Sequence, residues 1–253
     1  MVKVEVKMEH SCLGHEFPVT PEKRVAALDW KRIESQLDER GSAVAGPLLT
    51  GAECRKLSAG YEQESAFRSR VVMARHGFGQ GEYKYYRYPL PGTISRLRAD
   101  LYPHLAAVAN RWQLMLGRSR QYPPTLQGYL RQCHKAGQCL PTPLLLKYGK
   151  EDYNCLHRDV YGEMVFPLQV TVLLSAPSEE FMGGDFVLTE QRPRMQSRVE
   201  VVPLMQGEAV IFAVNERPMR GTRGVYRVAM RHGVSRIRSG QRFTLGIIFH
   251  DAK

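Results

Sequence analysis

Apolar residues in the second half of the chain form short runs that glycine-containing turns separate. Runs rich in Val, Ile, Leu and Phe predict buried strands, since such residues favour the pleated backbone. The predicted strands lie at 144–148, 153–159, 165–174, 186–188, 209–212 and 242–249. Turn signals occur at Gly183-Gly184-Asp185, Gly207-Glu208 and Ser239-Gly240. Short strands with turns between them are typical of a sandwich or a jelly-roll barrel.

Apolar residues in the first half recur at helical spacing instead. The longest such stripe predicts a helix, in which Pro103 marks a potential break; its members are Ile94, Leu97, Leu101, Leu105, Val108 and Trp112. Asp29 can cap a helix that runs to Asp38 and ends at Gly41. Thr50-Gly51-Ala52-Glu53 has capping-box spacing before a helix toward Gly60, and Thr125 can cap a helix to about residue 136.

The two patterns together predict an α+β fold, in which N-terminal helices pack on the outer face of a β-barrel. A mainly helical region at 1–140, with a hairpin near 67–90 on the substrate side, precedes a strand-rich core at 141–253. The segment 139–143 marks the change of pattern. At 28.8 kDa the chain fits one domain with an N-terminal elaboration, so both regions are expected to form one structural unit.

Composition excludes several classes of protein. No apolar stretch approaches the roughly 20 residues needed to span a bilayer, and residues 1–7 alternate charge with valine, unlike a signal peptide. The five cysteines show no paired spacing, which indicates reduced thiols and a cytoplasmic location. His10, Cys12 and His15 are too small a set for a structural zinc site. The sequence leaves the oligomeric state open.

The candidate chemistry lies in three residues of the strand-rich half. His157 and Asp159 are two residues apart, so on a strand both side chains point the same way. With His232 they make the two-histidine, one-carboxylate set that holds Fe(II) on one face and leaves three positions open. Arg242 follows on a later strand, and a guanidinium can grip a carboxylate of a dicarboxylate cosubstrate through two parallel hydrogen bonds.

In its motifs the segment from about residue 144 to 250 resembles the catalytic core of the Fe(II)/2-oxoglutarate-dependent dioxygenases, closest to the prolyl-hydroxylase-like branch. The matching motifs are Tyr148-Gly149, His157-Arg158-Asp159, Gly183-Gly184-Asp185-Phe186, 207–212, His232-Gly233-Val234-Ser235 and Gly240-Gln241-Arg242. The C-terminal half also resembles a bacterial branch of oxygenases that act on alkylation-damaged DNA. The fold that this resemblance implies is a double-stranded β-helix of the jelly-roll or cupin type.

The resemblance also implies roles for individual residues. His157, Asp159 and His232 would be the catalytic iron ligands, and Arg242 with Thr244 would bind the distal carboxylate of 2-oxoglutarate. Tyr148 would be a third partner of 2-oxoglutarate; alternatively, it is an ordinary half-buried strand tyrosine. Lys147 lies on the opposite strand face, so at most one of the two side chains can point inward. The implied cofactors are Fe(II), 2-oxoglutarate and O2, which together hydroxylate a C–H bond and release succinate and carbon dioxide.

The net charge of +11 and the pI near 9.6 favour a polyanionic partner. Basic and aromatic residues alternate at 75–88, and a run of arginines at 217–231 leads into His232. Candidate substrate residues are Arg75, Lys84, Tyr86, Arg87 and Arg231. Alternatively, the loops are solvated and the tyrosines belong to an ordinary strand. Oxidative demethylation of alkylated nucleic acid, prolyl-like hydroxylation of a protein side chain and a non-catalytic nucleic-acid-binding module remain as alternatives.

Overall fold

The computed structural model describes residues 20–160 and 162–253. The helices are α1 Pro21–Ala26, α2 Trp30–Arg40, α3 Gly51–Ala59, α4 Gly92–Met115 and α5 Leu126–Lys135, with short 3-10 helices at Gly60–Glu62, Glu64–Ala66 and Met73–His76. The strands are β1 Ser42–Ala45, β2 Phe67–Val72, β3 Gly79–Gln80, β4 Glu82–Tyr86, β5 Leu144–Tyr148, β6 Tyr153–His157, β7 Leu168–Leu173, β8 Phe181–Gly183, β9 Phe186–Gln191, β10 Arg198–Val202, β11 Ala209–Ala213, β12 Glu216–Gly221, β13 Gly224–Val234, β14 Ile237–Gly240 and β15 Arg242–Ile247. None of the described helices is long and apolar enough to cross a membrane.

Two antiparallel sheets form the body of the molecule. The seven-stranded sheet has the order β1-β11-β7-β15-β5-β4-β2, and the six-stranded sheet has the order β10-β9-β13-β6-β3, with β12 paired to β13. Strands far apart in sequence are neighbours, as in the pairing of β15 with both β5 and β7. This arrangement confirms the predicted α+β jelly-roll class with N-terminal helices.

The seven-stranded sheet separates the helices from the interior of the barrel. On β7 the side chains alternate: Val170 and Val172 join the core cluster that contains the stripe of α4, whereas Gln169 and Thr171 face the other way. Leu245 and Ile247 of β15 belong to the same cluster. The helical stripe is therefore hydrophobic core on the outer face of the barrel.

The predicted helix caps are present. Asp29 accepts a hydrogen bond from the Arg32 amide at 3.0 Å, and α2 ends at Gly41, whose φ of 78° is left-handed. Thr50 and Glu53 form the full capping box, and Thr125 caps α5. These local signals set the helix starts.

The predicted break at Pro103 is wrong, because α4 continues through it to Met115. A proline inside a helix costs about 3 kcal/mol through its missing N–H and the clash with the preceding turn. Pro103 itself is exposed, while apolar residues before and after it, such as Leu101 and Leu105, are fully buried. Burial of this continuous stripe outweighs the local penalty.

The N-terminal part contributes strands as well as helices. β1 extends the seven-stranded sheet beside β11, β2 and β4 extend it beside β5, and β3 pairs with β6 in the other sheet. The change of sequence pattern near residue 140 therefore does not coincide with the edge of either sheet. The arginine-rich run before His232 is also ordered, since β12 and β13 pair as a hairpin from Glu216↔Ala229 to Gly221↔Gly224.

Acid is expected to destabilise the protein through His250, which is buried and follows the end of β15. Burial, aided by the charge of Arg98, lowers the pKa of His250 from 6.5 to about 4. The neutral ring accepts a hydrogen bond from the Phe166 amide at 3.2 Å. Because the folded pKa is the lower one, the stabilisation is complete above pH 6.5 and disappears as the pH falls toward 4.

Protonation of His250 is expected to lower the free energy of unfolding by about 2.5 kcal/mol when the pH falls from about 7.5 to about 4.5. This change should be measured by urea unfolding at both pH values for the wild type and for His250→Asn, which keeps a hydrogen-bond acceptor but does not titrate. The pH dependence of the variant should be shallower by that amount. Equal pH dependence of the two proteins would contradict the assignment.

Candidate active site

The structure brings His157, Asp159 and His232 together. His157 on β6 lies directly opposite His232 on β13, and Asp159 follows two residues after β6. The Nε2 atom of His157 is 3.4 Å from Asp159 Oδ1, and that of His232 is 3.3 Å from Asp159 Oδ2. One potential ligand atom from each residue lies within 4.8 Å of the others. Adjacent strands of one sheet thus set the spacing of all three groups.

Each histidine is fixed so that its Nε2 atom faces the carboxylate. The His157 Nδ1 atom is 2.8 Å from the Cys155 carbonyl, so Nδ1 carries a hydrogen and Nε2 is the ring nitrogen available to a metal. The His232 ring packs against Phe212 at 4.6 Å and Phe186 at 6.0 Å between centroids. Packing on one ring and a backbone hydrogen bond on the other hold the orientation.

The charges of the cluster also suit a metal. Burial raises the pKa of Asp159, but hydrogen bonds from His157 and His232 outweigh it and hold this pKa well below the usual range. Burial and the neighbouring His157 lower the pKa of His232. At neutral pH the site therefore offers an anionic carboxylate and, at His232, a neutral imidazole, the protonation states that metal ligation requires. Burial lowers the pKa of His157, but its hydrogen bond to Asp159 outweighs burial and raises this pKa, so His157 would release its Nε2 proton when a metal binds. Two imidazoles and one carboxylate on one face, with open positions opposite, fit Fe(II).

Arg242 lies across the barrel from these residues, on the seven-stranded sheet. Its guanidinium is buried, and its Nε and Nη1 atoms have no hydrogen-bond partner among the described residues. Burial lowers the pKa of Arg242 to about 10, so it remains a cation at neutral pH. The guanidinium lies 5.8 Å from the ring centroids of Tyr148 and Phe181. Two buried N–H groups of a cation without hydrogen-bond partners are costly, and an anionic ligand would remove that cost.

Neighbouring strands shape the surroundings of Arg242. Thr244 is two residues further on the same strand face, and Tyr148 lies directly opposite Arg242 on β5. The Tyr148 hydroxyl accepts a hydrogen bond from Asn154 at 3.3 Å. Gly184 lies so close that a Cβ there would be 2.9 Å from the Arg242 Cδ atom. Lys147 occupies the opposite strand face, where it pairs with Glu62, as strand alternation requires.

A cavity of about 180 Å³ connects the two halves of the site. Its lining contains His157, Asp159 and His232 from one side and Tyr148, Arg242 and Thr244 from the other. Gln169 and Thr171 of β7 also line it, and the Gln169 Oε1 atom is buried with no partner among the described residues. Sequence reasoning missed both residues, although polar side chains at alternate positions of an apolar strand are a detectable signal.

Two of the predicted substrate residues lie elsewhere. Lys84 is buried and bonds to the Tyr61 carbonyl at 2.9 Å and to Glu64 at 2.6 Å. Tyr86 is buried in the core cluster against Phe67. The interpretation of both as substrate contacts is corrected, because strand alternation in β4 turns them away from the cavity and brings Tyr83 and Tyr85 into its lining.

The other three predicted substrate residues are exposed. Arg75 lies in a 3-10 helix, Arg87 directly follows β4, and Arg231 precedes His232 on β13. Arg231 points to the opposite strand face from His232, so it does not line the cavity. The His10–His15 segment lies outside the described residues.

Comparison with solved structures identifies the fold. A Trichoplax adhaerens prolyl hydroxylase in complex with a hypoxia inducible factor oxygen degradation domain peptide fragment is similar over 91% of each chain, with a TM-score of 0.56 and 14% identity. A Burkholderia pseudomallei oxidoreductase of the 2OG-Fe(II) oxygenase family is similar over 88% of this chain and 92% of its own, with a TM-score of 0.50 and 16% identity. The chain therefore has the fold of the 2OG-Fe(II) oxygenases, and its cluster of His157, Asp159 and His232 is a potential iron site.

Sequence comparison then gives the family. Residues 81–252 match the family Oxygenase-NA, described as oxygenases catalysing oxidative methylation of damaged DNA, and the chain belongs to this family. An uncharacterised Mycobacterium tuberculosis protein is 49% identical over 164 residues, which cover 65% of this chain and 70% of that protein. The family match begins before the change of sequence pattern near residue 140 and includes the Tyr83 and Tyr85 lining.

Proposed function

We propose that His157, Asp159 and His232 hold Fe(II) and that Arg242 and Thr244 bind the distal carboxylate of 2-oxoglutarate. The buried Arg242 guanidinium with two unpartnered nitrogens supports this assignment most directly. A dicarboxylate that reaches from the metal to Arg242 would provide the missing anion. Tyr148, buried opposite Arg242, adds a hydroxyl on the same side of the cavity.

When bound, iron, 2-oxoglutarate and O2 supply the oxidation of a substrate C–H bond, with release of succinate and carbon dioxide. The chain provides positions and surroundings for this reaction. The Cys155 carbonyl orients His157, and the aromatic rings of Phe186 and Phe212 hold His232. Apolar side chains such as Leu144 and Ile248 line part of the cavity. Arg242 fixes the far end of the cosubstrate through hydrogen bonds that a water-filled site would weaken.

The proposed substrate is an alkylated base in nucleic acid. The observation that carries this proposal is the match of residues 81–252 to a family described by its action on damaged DNA. The net charge of +11 suits a polyanion. On an N-methyl group the reaction inserts one oxygen atom into a C–H bond. The resulting N-hydroxymethyl group loses formaldehyde and leaves the demethylated base.

Substrate class is expected to be visible in the products. We expect single-stranded oligonucleotides with N-methylated bases to raise succinate production above the rate without oligonucleotide, with formaldehyde in equal amount. The matched control is the same oligonucleotide without the methyl group. A panel of proline-containing peptides, monitored for a mass gain of one oxygen atom, tests protein hydroxylation in parallel. If only the peptides stimulate succinate production, the substrate is a protein and not a nucleic acid.

A further inference from the structure

A second cavity of about 530 Å³ lies beside the iron site and is strongly basic. Four arginines line it, and we call this cavity the arginine groove: Arg158, Arg192, Arg194 and Arg227. Its other lining residues are mostly polar or small, with Pro193 and Ala229 as the apolar ones. The volume lies in the range of about 300–1,000 Å³ that is usual for ligand sites, but the lining is cationic instead of apolar.

Acidic groups near the groove are already neutralised. Glu190 is buried and pairs with the buried Arg217 as well as with Arg192 at 2.7 Å. Glu216 pairs with Arg118 and lies 3.6 Å from Arg227.

The two remaining arginines, Arg158 and Arg194, form no ion pair with any described residue. Both are exposed. The groove therefore carries uncompensated positive charge, although several arginines are clustered there. Like charges around one groove repel one another, so a bound anion would relieve the repulsion.

The groove adjoins the iron cavity, because the two share one lining residue. Arg158 lies between the two ligands His157 and Asp159 and lines both cavities. The β12–β13 hairpin carries Arg227 and continues directly to His232. An anionic group in the groove would thus lie next to the opening of the cavity in which oxidation takes place.

The iron cavity also has an exposed aromatic ring in its lining. Phe78 lines the iron cavity, yet its side chain is exposed, with 47% of the residue accessible. The Cys155 amide donates to the Phe78 carbonyl at 2.9 Å, which holds the Phe78 backbone beside β6, and the ring stacks on His76 at 5.3 Å between centroids. An exposed, anchored aromatic ring suits stacking with a nucleic-acid base.

We propose that the arginine groove binds the sugar-phosphate backbone of a single-stranded segment of nucleic acid and presents one base to the iron cavity past Phe78. This proposal rests on the proposed function. Guanidinium groups bind phosphate through paired hydrogen bonds. Arg158 and Arg194 form no ion pair with any described residue, so their guanidinium groups can bind phosphate in this way. A base inside a duplex cannot reach a buried metal, so the groove holds a strand whose target base is unpaired or flipped out.

The test compares two double variants that remove the same amount of charge. Arg194→Gln with Arg227→Gln removes two of the four groove arginines, whereas Arg131→Gln with Lys135→Gln removes the charge of two exposed residues of α5 that line neither cavity. Binding of a fluorescent single-stranded oligonucleotide to the full chain is measured between low and physiological salt. Thermal melting shows that each variant is folded, and Arg194→Gln alone serves if the double groove variant is not.

We expect the groove variant to bind about tenfold more weakly at 0.15 M salt, with a salt slope reduced by about 1.4, as two lost phosphate contacts predict for a single strand. The α5 variant should behave as the wild type. Equal binding by the wild type and a folded groove variant would show that the arginine groove does not bind the nucleic-acid backbone, and it would leave the proposed nucleic-acid function standing. If methylated oligonucleotides neither bind to nor stimulate the wild type, both proposals fail.

Discussion

Replacing His232 with alanine is expected to abolish 2-oxoglutarate turnover. The variant removes one of three ligands whose donor atoms lie within 4.8 Å of one another, and no other histidine, cysteine or acidic group of the described chain completes such a cluster. Loss of a group that only supports a metal ligand already costs about 10- to 100-fold in metal affinity or activity. Loss of the ligand itself should therefore lower turnover by more than about 100-fold. Succinate formation and Fe(II) binding, measured in parallel, check this result.

The matched control for this variant is His104→Ala. His104 stacks on Trp30 at 4.0 Å between centroids, on the helical side of the molecule, and does not line the cavity. It should lose some stability but keep turnover. Full turnover by a folded His232→Ala variant would show that the metal site lies elsewhere.

Local chemistry explains the parts of the fold that the sequence predicts well. Asp29, Thr50 and Thr125 cap helices through hydrogen bonds to residues three positions away, so the signal and its partner are adjacent in the chain. Apolar runs at strands such as β7 and β11 reflect burial on both faces. In contrast, the uninterrupted α4 depends on tertiary packing around Pro103, which no local pattern contains.

Strands with polar sequences are harder to predict because their stability comes from distant partners. β12 and β13 contain a run of arginines that indicates a solvated loop, yet they pair along their length and β13 also pairs with β9. Arg217 in this hairpin is buried because Glu190, remote in sequence, neutralises it. The sequence shows both charges but does not show that they meet.

Some residues of the candidate site can likewise be predicted from the sequence, whereas others depend on partners that are distant in the chain. His157 and Arg242 lie on strands as the sequence predicts, and their donor types are those that iron and a carboxylate require. Asp159 is identified by its donor type and spacing, but it lies just beyond the end of β6 and not on the strand. The assignment of Lys84 to the substrate surface failed because its neighbours Tyr61 and Glu64 come from another segment. The arginine groove likewise combines residues from β13, from the turn after β9 and from the segment after β6.

Replacing Arg242 with alanine is expected to raise the KM for 2-oxoglutarate by about 100- to 4,000-fold. Removing one member of a buried charge pair costs about 3–5 kcal/mol, and each 1.4 kcal/mol is about tenfold in affinity. Arg242 is fully buried and has unpartnered nitrogens that face the cavity, so this cost should be realised when the cosubstrate binds. Arg242→Lys keeps the charge but loses the paired hydrogen bonds, so its KM for 2-oxoglutarate should lie between those of the wild type and Arg242→Ala. The measurement is the 2-oxoglutarate dependence of succinate formation.

The distal carboxylate itself provides the sharpest control. 2-Oxobutyrate retains the metal-binding 2-oxo acid and lacks the second carboxylate, so the wild type should use 2-oxoglutarate far better than 2-oxobutyrate. Arg242→Ala should lose most of that preference, because the contact that distinguishes the two acids is gone. Arg236→Ala removes an exposed arginine that pairs with Glu151 and should keep the preference unchanged. An unchanged preference in a folded Arg242→Ala variant would place the distal carboxylate at another residue, whereas a general loss of stability would reduce the use of both acids equally.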